Sequence, residues 1–275
     1  MENLIEKAVA GDKKSLEEII LSVQDTVFNL SLRMLGSFAD AEDASQEILL
    51  KVITHLSSFR QESAFSTWVF RIAVNHLKDY KKHMFAHQSL SFEYYGDDIE
   101  NGRAEEVPDS GQEVDQSILA EELKMSCTNV MLQCLDSESR CIFVLGTMFN
   151  LDSHAAGELL GITPEAYRQR LSRARRRMAD FLSKYCGEYG SGKCRCSNRI
   201  AYAVQNHRIN PGRLDYTAAE EVHEKTRLDV KETMEEIDDL AQVYSFYKTY
   251  ATPERTRKFI RDFLDSALCS TVKNS

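Results

Sequence analysis

Apolar residues recur at helical spacing along almost the whole of this chain, and nowhere do they alternate as a half-buried strand requires. The period predicts helices over 3–10, 13–36, 40–57, 65–83, 115–134, 137–149, 152–160, 164–184, 217–249 and 253–268. Only four prolines stand among the 275 residues, so long helices run unbroken. The expected fold class is therefore all-α. With 43% hydrophobic residues the chain can bury real cores, and its length suits two or three small domains.

Two stretches break the period. From Glu93 to Glu122 eleven acids stand against one base. A segment so poor in apolar groups cannot bury enough surface to offset its ordering entropy, so residues 84–114 read as an acidic flexible linker. The second break, 186–216, holds three cysteines, four glycines and Pro211. The chain thus divides into an N-terminal helical bundle (1–83), the linker (84–114), a second helical module (115–185) and a Cys-containing loop with a helical hairpin (186–275). No apolar run reaches membrane-spanning length, and the start, MENLIEKAVAGDKKSLEEII, is amphipathic rather than a signal peptide. Seven unevenly spaced cysteines argue against a secreted disulfide framework. A cytoplasmic protein with reduced thiols and no membrane partner is expected.

The segment 163–177, TPEAYRQRLSRARRR, gathers Arg168, Arg170, Arg173, Arg175, Arg176 and Arg177. From Glu165 to Lys184 seven bases face two acids, in a chain of formal charge −9. Arginine concentrated on one helix of an acidic protein suits phosphates and base edges of nucleic acid; a solvated basic face is the blander reading. Before it, in LDSHAAGELLGITPEAY, Asp152 or Ser153 can cap a short helix that Ala155, Ala156 and Gly157 keep thin. Gly161 supplies the turn, Thr163 caps the next helix and Pro164 takes its first position. This is a helix-turn-helix pattern, whose second helix would enter the major groove.

Nearer the N-terminus, Asp40 is placed to cap a helix in which Glu42 and Asp43 favour the positive end. Ile48, Leu49, Val52, Ile53 and Leu56 form its apolar stripe, while Asp43, Gln46, Glu47 and Lys51 share the opposite face. The next segment, Phe59 to Lys82, mixes Phe65, Trp68 and Phe70 with Arg71, Asn75, His76, Lys78, Lys81 and Lys82. Bases can stack on aromatic rings while cations follow the backbone, as melted nucleic acid requires. Phe70 and Ile72 read as core; Trp68 can serve either purpose.

DAEDASQEILLKV followed by FSTWVFRIAVNHLKDYKK resembles the second conserved region of bacterial RNA polymerase sigma factors of the compact extracytoplasmic-function (ECF) type. LDSESRCIFVL and LLGITPEAYRQRLSRARRRM resemble their fourth region. The resemblance covers residues 1–185. It implies a non-enzymatic subunit that binds core polymerase and both recognises and melts promoter DNA. The face with Asp40, Glu42, Asp43, Gln46 and Glu47 would dock on the polymerase clamp helices. Loop 57–66 with Arg60, and the helix from Thr67 with Trp68, Arg71, Asn75 and Lys78, would capture the non-template strand of the minus-ten element. Helix 164–177, with Thr163, Arg168, Gln169, Ser172, Arg173 and Arg176, would read the minus-thirty-five duplex. The chain departs from the family where Ala155-Ala156-Gly157 replaces Glu-Ile-Ala and Ala166-Tyr167 replaces Thr-Val, so promoter preference does not transfer.

The function implied requires no cofactor. Cys186, Cys194 and Cys196, with His207 eleven residues further on, form a candidate soft-metal set for Zn or Cu(I). Inert free thiols, or a redox pair activated by Lys193, Arg195 and Arg199, are the other readings. In the tail, Val222, Leu228, Met234, Ile237, Leu240, Val243, Phe246 and Tyr247 make a helical stripe, followed by a Thr252-Pro253 cap and a shorter helix. The tail reads either as a regulatory hairpin acting in cis, in place of a separate anti-sigma protein, or as extra core. The rival function is a polymerase-independent helix-turn-helix regulator with a metal- or redox-sensing Cys cluster.

Overall fold

The computed structural model describes residues 1–84, 90–102, 115–188, 192–220 and 248–266. Among the described residues every regular element is helical, as the periodicity requires. These are α1 (Glu2–Val9), α2 (Lys13–Leu35), α3 (Phe38–His55), α4 (Phe65–Met84), α5 (Phe92–Asn101), α6 (Gln116–Gln133), α7 (Ser137–Phe143), α8 (Ser153–Leu160), α9 (Pro164–Tyr185), α10 (Ile200–Gln205) and α11 (Glu254–Asp265). A parallel backbone bridge links Cys186 and Cys194.

The chain forms two compact units: Met1–Ala86 with Glu158–Gly161 and Thr249–Ser275, and His87–Gly157 with Ile162–Lys248. The break expected at residue 186 therefore bounds neither unit.

In the first unit Asp12 caps α2 by accepting the Ser15 N–H at 2.9 Å. Gly36, at φ 80°, ends that helix in the left-handed conformation open to glycine. Ser37 follows in extended conformation and its hydroxyl accepts the Asp40 N–H at 3.4 Å. Ser37, not Asp40, is thus the cap of α3: the tight turn at Gly36 starts the helix earlier than the acidic run suggested, and Asp40 lies in its first turn. The core joins Ile19, Phe28, Leu30 and Leu32 of α2 to Ile48, Leu49 and Val52 of α3 and Val69, Ala73 and Val74 of α4. α11 packs on α3 and α2.

In the second unit Arg140 of α7 is 1% exposed. Its Nε donates to the Leu132 carbonyl at 2.7 Å, and its Nη2 to those of Gln133 at 3.1 Å and Leu135 at 2.8 Å. The guanidinium thereby satisfies carbonyls that the end of α6 leaves without helical donors. Burial pushes its pKa down to about 10.

Three expectations change here. The flexible linker contains α5, because Phe92 and Tyr95 bury themselves against Phe181 of α9, with ring centroids 5.3 and 5.5 Å apart. The break at 186–216 contains a 3₁₀ turn, Cys196–Arg199, and α10, which pack on α6 through Ile200, Ala203 and Ile209. Thr252 caps nothing: its hydroxyl donates to Asp25 Oδ1 at 2.7 Å, and α11 starts after Pro253 without a side-chain cap. The helix expected over 217–249 falls largely on 221–247, with its stripe Val222, Leu228, Met234, Ile237, Leu240, Val243, Phe246 and Tyr247, outside the described residues; 217–220 and 248–249 are not helical.

Candidate nucleic-acid interface

Asp152 caps α8, its Oδ1 accepting the N–H groups of His154 at 2.8 Å and Ala155 at 3.1 Å. The chain then reverses at Gly161, φ 70°. Gly157 sits under this turn, and a Cβ there would lie 2.8 Å from the Ile162 carbonyl oxygen. Thr163 caps α9 by accepting the Ala166 N–H at 3.2 Å, with Pro164 in its first turn.

The buried stripe of α9 is Tyr167, Ala174, Met178, Phe181 and Leu182. It leaves Arg168, Gln169, Ser172, Arg173 and Arg176 exposed, with Thr163 exposed at the cap. The side chain of Arg168 is held by Glu165 at 2.9 Å and by the Ser153 hydroxyl at 2.8 Å. Two arginines of the cluster serve the fold instead. Arg175 is half-buried and donates to Thr147 Oγ1 at 3.1 Å and the Gly146 carbonyl at 3.3 Å; burial lowers its pKa. Arg170 pairs with Glu138. Tyr167, one of the departures from the family pattern, is 1% exposed and donates to the Ile142 carbonyl at 3.3 Å. Gly146 makes room for it, since a Cβ there would come within 2.6 Å of the Tyr167 hydroxyl.

In the first unit Asp43 and Glu47 of α3 are exposed, and Asp40, Glu42 and Gln46 half-buried. Glu47 lies 3.6 Å from His76 Nε2, while Lys51 Nζ donates to His76 Nδ1 at 2.8 Å. Beyond α3, Phe59, Phe65 and Trp68 form one ring cluster, with centroids 5.4–5.7 Å apart. Phe65 is buried and Trp68 half-buried. Arg60 and Asn75 are exposed; Thr67, Arg71 and Lys78 are half-buried. Phe70 and Leu77 are core, whereas Ile72 is only half-buried. The side chains of Lys81 and Lys82 lie outside the described residues.

In the cysteine loop, Gly187 N–H donates to the Cys194 carbonyl at 2.8 Å and Cys194 N–H to the Tyr185 carbonyl at 3.1 Å. Cys196 opens the 3₁₀ turn against α6. A cysteine absent from the expected set joins this region: Cys127 of α6, whose sulfur accepts the Tyr95 hydroxyl at 3.0 Å. Cys127, Cys186 and Cys194 lie near enough to Cys196 to raise its thiol further. His207 is exposed at φ 54°, just beyond α10. Among the described residues no three His, Cys, Asp or Glu side chains are placed to hold a metal ion. The surroundings of Cys194 and Cys196 oppose activation of their thiols. Burial raises Cys194 despite Arg199 and Arg195, and pushes Cys127 and Cys196 up to about 12.

Two acids that anchor the second unit gave no signal in the sequence. Asp98 accepts from Arg208 at 2.6 Å and from the Tyr202 hydroxyl at 2.5 Å, with Arg199 3.6 Å away. Glu122, 3% exposed, accepts the N–H groups of Asp215 at 2.8 Å, Tyr216 at 3.1 Å and Thr217 at 2.8 Å. Each is one acid in an acidic run, and its partners lie about a hundred residues away.

Residues 19–83, which hold most of α2 and all of α3 and the ring cluster, match the family described as sigma-70 region 2. The RNA polymerase sigma-H factor of Pseudomonas aeruginosa is 34% identical over 79 residues, 29% of this chain and 41% of that protein. The ECF RNA polymerase sigma factor SigW of Bacillus subtilis is 28% identical over 179 residues, 64% of this chain and 95% of that protein. The ECF RNA polymerase sigma-E factor of Escherichia coli is 40% identical over 77 residues, 28% of this chain and 40% of that protein. The chain thus spans less than half of two of these relatives and nearly all of SigW. No helix among the described residues is long and apolar enough to cross a membrane.

Proposed function

We propose, on the premise that this chain belongs with the ECF sigma factors, that it directs bacterial RNA polymerase to promoters in the cytoplasm and helps open them. The observation that carries this reading is the succession, inside residues 19–83, of the acidic face of α3 and the Phe59–Phe65–Trp68 cluster. Asp40, Glu42, Asp43, Gln46 and Glu47 dock on core polymerase. Trp68, with Arg60, Thr67, Arg71, Asn75 and Lys78 around it, holds an unstacked base and its backbone in the minus-ten element. Thr163, Arg168, Gln169, Ser172, Arg173 and Arg176 engage minus-thirty-five duplex from the exposed face of α9. Glu165 and Ser153 support this by preorienting Arg168, which lowers the ordering cost at the DNA. No catalytic group of the chain's own enters the reading; the polymerase makes the bonds.

Run-off transcription tests it. Core enzyme is expected to start at discrete sites only when the chain is added. The reading ends if core enzyme neither binds the chain nor starts selectively, with wild type or with the α11 variants described below. Arg173→Ala is expected to weaken duplex binding across sequences and reduce the salt slope by about one unit.

For metal, Cys186, Cys194, Cys196 and His207 are the proposed soft donor set for Zn or Cu(I), and binding would have to draw them together. Metal content of the purified chain with and without Cys194→Ser tests this, and equal content removes it.

A further inference from the structure

Residues 249–265 return to the first unit and grip helices far upstream. Asn29, 4% exposed on α2, holds Tyr250 by both backbone groups: Nδ2 donates to its carbonyl at 2.7 Å, and Oδ1 accepts its N–H at 3.0 Å, across 221 positions of sequence. Asp25 Oδ1 accepts the N–H and O–H of Thr252 at 2.8 and 2.7 Å. The Tyr250 ring packs edge-on against Phe38 of α3 with centroids 5.6 Å apart. Tyr250, Thr252, Thr256, Ile260 and Leu264 are all buried.

From there α11 lies along α3. Arg255 comes within 3.7 Å of both Glu42 and Asp43, and Gln46 Nε2 donates to Thr256 Oγ1 at 3.3 Å. Lys13 pairs with Asp265 at the far end of α11. The tail from Asp215 is acidic as a whole, yet α11 carries four bases against three acids, and its first arginine points at the acidic face. Glu42, Asp43 and Gln46, three of the five α3 residues assigned to polymerase docking, are therefore already engaged.

We infer that residues 249–265 are a competitor carried by the chain itself: α11 occupies the face of α3 that docks on core polymerase, and must leave before the enzyme binds. The inference rests on the docking role given to α3 above. The physical terms allow both states. The ion pairs of Arg255, 70% exposed, add little. What holds the segment is a pair of polar clasps at Asn29 and Asp25 and a short apolar row, with no covalent link. A docking surface of larger area can displace it.

The test compares affinity for core RNA polymerase of the full-length wild type, Ile260→Asp and Arg255→Glu, with hydrogen exchange of residues 254–265 in the free and bound chain. Ile260→Asp buries a charge under α11; Arg255→Glu sets a repulsion against Glu42 and Asp43 at an exposed position that folding tolerates. If the closed state dominates, releasing it raises apparent affinity about tenfold for Ile260→Asp and severalfold for Arg255→Glu. The amides of 254–265 are expected to lose protection when wild type binds core enzyme. Equal affinities with those amides still protected in the complex overturn the inference. So does weaker binding by a variant whose circular dichroism melt is native, because α11 would then belong to the docking surface. Failure of all three chains to bind core enzyme instead ends the docking role of α3.

Discussion

Two pieces of the chain beyond α9 hold distant helices by their backbone N–H groups, and they do so in different currencies. In the second unit the carboxylate of Glu122 is 3% exposed and accepts from three successive backbone N–H groups, Asp215 to Thr217. A charge at that depth is tolerable only while those donors stay in place. In the first unit the neutral amide of Asn29 clasps Tyr250, and Asp25 grips Thr252 from a half-buried position. Water can replace those partners at modest cost. The same device thus ties 196–217 to its core through a buried charge and 249–265 through an amide and a half-buried carboxylate, the weaker hold that the proposed release of 249–265 requires.

The largest effect that would break this contrast comes from truncation. A chain ending at Tyr185 strips Ile200, Ala203 and Ile209 from Leu119 and Leu123 of α6. It is expected to lose cooperative unfolding of the second unit and to bind a hydrophobic dye, whereas a chain ending at Lys248 keeps a native melt. Equal behaviour of the two would erase the distinction. Next, Glu122→Ala leaves buried N–H groups without an acceptor and is expected to cost about 3–5 kcal/mol in a urea melt. Asn29→Ala is expected to cost about 1–3 kcal/mol and to raise hydrogen exchange at 250–265 while sparing 196–217.

The smallest effect is on acid stability. Burial alone would raise the Asp98 carboxyl, but hydrogen bonds from Arg208 and Tyr202, with the charges of Arg208 and Arg199, outweigh it and hold the pKa below the ordinary value. A carboxyl depressed in the folded state stabilises above its unfolded pKa of about 3.9, and that stabilisation is lost as pH falls through the lower folded value. Asp98→Asn is expected to make unfolding of the second unit less steep below about pH 4, read by tryptophan-independent circular dichroism. An unchanged acid limb would show that Asp98 contributes no linkage.

Helical spacing, a capping Thr163, Pro164 and Gly161 were enough to place α8 and α9 and to leave Arg168, Gln169, Ser172, Arg173 and Arg176 on one face, because each signal acts within one or two turns. The same locality misassigned Asp40 as a cap, since the decisive residue was the left-handed Gly36 before Ser37. Charge counting failed for α5: Phe92 and Tyr95 find Phe181, and Asp98 finds Arg208, only once the chain has folded. Arg175 looked like its neighbours in the basic run until its surroundings buried it against Gly146 and Thr147.

The linear order of residues determined the all-α class, the helix-turn-helix and the candidate surfaces on α3, α4 and α9, because periodicity, caps and turns are short-range properties. Folding alone decided which acids became anchors and that α11 lies across Glu42, Asp43 and Gln46. Those outcomes depend on burial and on partners brought together across a hundred to two hundred or more positions, and no spacing rule along the chain encodes a distance of that kind.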